Sequence, residues 1–127
     1  MTQVSYEIPE NIRELIIKVA FKAIESGCTN EAKAILEALA KNYPLSAASD
    51  IGYALIEIMN SNFSKAIRLL KNTLEKSTNC LEEARIVLLY AMVASGKVTE
   101  AKHEAKNMLE GELVSKDNIK IIFDEMG

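Results

Sequence analysis

Apolar residues recur every three to four positions along this chain, and polar breaks interrupt them at regular intervals. From Asn11 the residues Ile12, Leu15, Ile16, Val19, Ala20, Ala23 and Ile24 keep the helical period, which predicts a first helix that Gly27 stops. Pro9 stands where a first turn can begin, because its missing N–H would have no partner there. Thr29 or Asn30 is the expected cap of a second helix, with Ala32, Ile35, Leu36 and Leu39 on one face. Pro44 ends it, since proline disfavours helical geometry in the residue before it. A third helix is predicted over Ser46 to Met59, with Ile51, Ala54, Leu55 and Ile58 in phase. After the break "NSN" a fourth covers Phe63 to Glu75, with Ala66, Ile67, Leu70 and Leu74 inward. "STN" interrupts again, and Asn79 with Glu82 has capping-box spacing for a fifth helix, Leu81 to Ala94, which halts at Gly96. A sixth runs from Thr99 to Leu109 and halts at Gly111. In the last, "SKDNIKIIFDEM", Ile119, Ile122, Phe123 and Met126 share a face. No strand pattern competes, and the connections are short, so successive helices should run antiparallel in one all-α domain over 1–127.

Composition narrows the class. The 127 residues are 49% hydrophobic and 26% charged, as expected of a globular chain with a modest core. Net charge is −3, whereas a surface that tracks phosphates carries a basic excess, so nucleic acid is disfavoured as a partner. The longest apolar runs, such as "IVLLYAMVA", fall short of the roughly 20 residues that span a bilayer. "MTQVSYEIPEN" lacks a basic segment followed by an apolar stretch, so no secretory signal is expected. Cys28 and Cys80 have neither metal nor redox spacing and are expected to stay reduced in a cytoplasm.

Three of the helices look alike. Aligned on their alanines, Ala32 and Ala66 stand 34 residues apart, and Ala66 and Ala101 stand 35 apart. That is the tetratricopeptide (TPR) period. The first unit, Arg13 to Ser46, resembles such a repeat at Ala20, Gly27, Ala32, Leu36 and Pro44. In the second, Ala54, Ala66 and Leu70 match, while Ser61 replaces the turn glycine and Thr78 the proline. In the third, Gly96, Ala101 and Met108 fit, but Leu89 takes the small site and Leu113 the proline site. The family's large aromatics in the leading helix are mostly missing. The resemblance implies an α–α superhelix of three antiparallel hairpins, over about 11–44, 45–78 and 80–113, plus a capping helix at 115–126. Small residues at such crossings let helix axes approach to about 8 Å, and each hairpin buries the apolar face that its neighbour leaves open.

Carried onto this chain, the family's concave face comprises Ile17, Phe21 and Ile24, then Ile51, Leu55, Ile58 and Met59, then Ile86, Tyr90 and Val93. Nearly all are apolar. The lysines and asparagines with which some TPR proteins hold a peptide carboxylate are absent here. An apolar trough favours an amphipathic helix laid in by its apolar side, with Met59 and Met92 as adaptable lining. The trough could equally be filled by the chain's last helix, by its N-terminal segment around Val4 to Ile8, or by a second copy in a homodimer.

The motifs "A..SG...EA..IL.AL...YP", "ALIEIMNSNFSKAIRLLKN" and "LLYAMVASGKVTEAKHEAKNML" resemble bacterial type III secretion accessory proteins of the Hrp type and the needle-subunit chaperones, over about Ile12 to Glu110. That resemblance implies a bacterial cytoplasmic chaperone that keeps a filament, needle or translocator subunit monomeric by covering its sticky helix. The alternatives are a structural oligomerisation subunit and, against the acidic balance, a helical-repeat RNA binder.

Enzyme chemistry finds no support in the residues. His103, the only histidine, lies among Lys102, Glu104 and Lys106 and reads as a solvated helix face. It has no cysteine or aspartate in metal-ligand spacing. Glu82–Glu83 and Asp124–Glu125 read as helix-end charges rather than as an acid/base pair. There is no phosphate loop, nucleophile elbow or glycine-rich fingerprint. No cofactor and no metal are expected.

Overall fold

The computed structural model describes residues 10–124. Its seven helices are α1 (Glu10–Glu25), α2 (Thr29–Asn42), α3 (Ala48–Met59), α4 (Phe63–Lys76), α5 (Leu81–Ala94), α6 (Val98–Glu110) and α7 (Lys116–Asp124). The described residues contain no strand, only an isolated bridge between Ser46 and Asn79. Pro9, the segment Val4 to Ile8 and Met126 lie outside the described residues.

The turns within α1–α2, α3–α4 and α5–α6 are built alike. In the first, Gly27 N donates to Ile24 O at 3.1 Å and Cys28 N to Ala23 O at 2.8 Å. In the second, Ser61 N donates to Ile58 O at 3.0 Å and Asn62 N to Glu57 O at 2.8 Å. In the third, Gly96 N donates to Val93 O at 3.0 Å and Lys97 N to Met92 O at 2.9 Å. This pair of bonds satisfies the last carbonyls of a helix through one residue in the left-handed region. Gly27, Ser61 and Gly96 are that residue, at φ 82°, 62° and 89°. One residue later the chain is helical again, so Cys28, Asn62 and Lys97 carry the N-cap position without a side-chain capping bond. The expected caps Thr29 and Asn30 are therefore already inside α2.

The α6–α7 connection repeats this turn, with Glu112 as its left-handed residue at φ 55°, whereas the α2–α3 and α4–α5 connections work differently. Thr78 N donates to Leu45 O at 2.8 Å and Ala47 N to Asn79 O at 3.2 Å, so the loop after α2 is stitched to the loop after α4. Ser46 is held in that stitch, and its Oγ accepts from Ala48 N at 3.2 Å, which delays α3 to Ala48. The capping box expected of Asn79 and Glu82 does not form. The residue before α5 is Cys80, in the left-handed region at φ 59°. Glu82 turns instead to α7, where its Oε2 accepts from Ser115 N at 2.9 Å and its Oε1 from Asn118 Nδ2 at 3.0 Å.

Packing follows a fixed pattern. α1 touches α3, α3 touches α5, and α5 touches α7, while α2 and α4 each bridge two successive members of that row. The alanines Ala20, Ala32, Ala54, Ala66, Ala84 and Ala101 are fully buried where helices cross. A smaller core of Ala20, Ile24, Ala32, Leu36, Leu39 and Ile56 joins α1 and α2 to α3. The larger core runs from α3 to Ile119 and Ile122 of α7, and Phe21 packs against both. α4 departs from expectation at one position. Thr73 is fully buried, with its Oγ1 2.9 Å from Asp50 Oδ2 and 2.8 Å from Leu69 O, while Leu74 stays half-buried. Lys76 completes this tie between α3 and α4, with Nζ 3.6 Å from Asp50 Oδ2.

Candidate functional site

The ten positions expected to line a trough fall into three groups. Ile24, Ile51 and Ile58 are buried in the core and present nothing to a ligand. The correction has a simple cause: these positions sit where one helix of the row meets its neighbours, and close packing covers them. Ile17, Phe21, Leu55, Ile86 and Val93 are half-buried, each resting one edge on the core. Met59 and Tyr90 stand out into solvent, 55% and 47% exposed.

What remains is narrower than a trough. Phe21, Leu55 and Tyr90 are 34 and 35 residues apart, on three helices that touch in series. Ile17 and Ile86 stand one turn before Phe21 and Tyr90, and Val93 nearly one turn after Tyr90. The result is an apolar strip across α1, α3 and α5, with Met59 at the end of α3 beside it in register. Ile17, Phe21, Leu55, Ile86 and Val93 offer part of their surface while packing against the core beneath.

A second uncovered apolar surface lies at the α1 end. Leu15 and Val19 are 56% and 51% exposed. Ile16 joins Ile35, Leu39 and Tyr43 around a cavity of about 310 Å³ between α1 and α2. The sequence carried the signal for this face. Nine apolar residues in α1 make a stripe too wide for one neighbour to cover. A cavity of about 660 Å³ lies in neither place but between α4 and α6, with exposed His103 on its rim.

No group of three or more His, Cys, Asp or Glu among the described residues is placed to hold a metal ion. Cys28 is exposed and Cys80 half-buried, and no disulfide joins them. No described helix is long and apolar enough to cross a membrane. Tyr53 has a shifted titration. Burial pushes its phenol above the ordinary value, and the carboxylates of Glu37 and Asp50 add to the rise. Comparison with known proteins leaves the geometry to speak alone: no family model, no curated protein and no solved structure matches the chain.

Proposed function

We propose that this chain is a non-enzymatic protein-binding module of TPR-like architecture, whose apolar strip receives one face of an amphipathic helix from a partner. The observation that carries the reading is the register of Phe21, Leu55 and Tyr90. These side chains stand at one repeat interval on helices that touch in series, and each keeps part of its surface uncovered by any described element. The like turns at Gly27, Ser61 and Gly96 stand 34 and 35 residues apart, and that spacing supports the repeat architecture. A helix that buries four or five side chains on the strip gains about 5–10 kcal/mol before ordering costs. The strip is hydrophobic and poor in directional groups, so it suits holding a sticky segment rather than reading a polar sequence. The narrower role follows from the sequence resemblance alone: a type III secretion chaperone that keeps a filament, needle or translocator subunit monomeric in the bacterial cytoplasm.

The test is capture from native cells followed by reconstitution. The co-purifying subunit should bind through a single amphipathic helix, and Tyr90→Asp together with Met59→Asp should abolish binding while the circular dichroism stays helical. Binding that survives both changes removes the strip from consideration. A second reading rests on Leu15 and Val19, whose exposure favours a structural subunit that self-associates through α1. Light scattering of the pure protein and of Leu15→Ser/Val19→Ser distinguishes the two.

A further inference from the structure

We propose that the cleft between α4 and α6 is a second docking surface, on the opposite side of α5 from the strip, and that it takes a basic amphipathic helix. α4 and α6 each pack on α5 rather than on each other, which leaves the cleft open above α5. Its floor is Leu88 and Met92 of α5, and its walls carry Leu74 and Met108. Two residues along a helix is a rotation of about 200°, so Leu88 and Met92 face roughly away from Tyr90. The cleft and the strip therefore occupy opposite faces of α5 and can be filled independently. At about 660 Å³ the cleft has room for the side chains of one helix face, though not for a whole helix.

The charge on the rim selects the occupant. Glu75 contributes from α4, and Glu100 and Glu104 stand one turn apart on α6, all exposed. Lys71 is the single lysine or arginine that lines the cleft with them. Three carboxylates against one ammonium, around an apolar floor, match a segment that has leucine-like side chains on one face and lysine or arginine on its flanks. Methionines at the base accommodate more than one apolar shape.

The cleft supplies its own reporters. His103 is the only histidine, and Met92 and Met108 are in the cleft whereas Met59 lies beside the strip. The experiment titrates the full chain, methyl-labelled at methionine, with a short amphipathic leucine–lysine peptide and separately with its leucine–glutamate counterpart. The leucine–lysine peptide should shift the Met92 and Met108 methyls and the His103 ring protons saturably and leave Met59 in place. Glu100→Lys/Glu104→Lys should weaken that binding by about tenfold or more, roughly one full charge reversal per site. Both positions are exposed, so the fold should be unaffected. Tyr90→Asp should leave it unchanged, which separates this proposal from the reading of the strip. Equal binding of the two peptides, shifts confined to Met59, or concentration-dependent shifts of Met92 and Met108 without any peptide would each overturn it, the last by making a second copy the occupant.

Discussion

Leu36 of α2 is seated directly on Gly52 of α3. A Cβ built at Gly52 would lie 2.5 Å from Leu36 Cδ2 and 2.8 Å from Cδ1, and Leu36 is fully buried. The first hairpin is locked to the second through this contact. Alanine normally improves a helix over glycine by about 1 kcal/mol. Here overpacking should win, so Gly52→Ala should lower unfolding stability by about 1–3 kcal/mol in urea titration. Combined with Leu36→Ala the loss should be smaller than the two single losses together. A stabilised Gly52→Ala would show that α2 and α3 stand further apart.

Ser61 holds a left-handed conformation, φ 62°, that glycine holds at the two equivalent turns. A residue with a Cβ pays about 1–2 kcal/mol there, while glycine costs more unfolded-chain entropy. Ser61→Gly should therefore stabilise the protein by about 0.5–1 kcal/mol, and Ser61→Val should destabilise it. Thermal denaturation of the pair checks the sign.

These two residues show what the sequence could and could not convey. The helix starts and stops were readable because glycine, proline and polar breaks act locally, and all seven described helices start within two residues of expectation. The 34- and 35-residue intervals likewise located the buried alanines. Gly52 was not readable. A mid-helix glycine is a weak helix former, and only the approach of Leu36 from another helix gives it a purpose. The candidate face suffered in the same way. Periodicity marks Ile24, Ile51 and Ile58 as apolar, but only the packed helices decide that they are core while Tyr90 and Met59 are surface.

Glu82 was expected to cap its own helix and instead binds the start of α7 through both carboxylate oxygens. Glu82→Ala should free that end. Amide exchange at α7 should speed up several-fold, consistent with a lost capping interaction of about 0.5–2 kcal/mol. Exchange in α1 and α2 should not change, because they belong to the other core.

Tyr53 predicts a pH dependence. Its folded-state pKa lies above the unfolded value, through burial first and then Glu37 and Asp50. The folded state thus keeps the phenolic proton longer than the unfolded chain does. Its contribution is fully present below the unfolded pKa, near 10, and is lost as pH rises through the folded pKa. Tyr53→Phe should flatten the stability decline in that alkaline window and leave stability at lower pH nearly unchanged. Urea titrations at a series of alkaline pH values measure this.

The central claim is that Phe21, Leu55 and Tyr90 form one binding surface for a partner's helix. The most direct measurement is amide and methyl protection in the reconstituted complex with the partner's helical segment. Protection should rise at Phe21, Leu55, Met59, Ile86, Tyr90 and Val93 together, and Tyr90→Asp should remove it at all of them. A complex that forms with these positions as exposed as in the unbound chain would contradict the account.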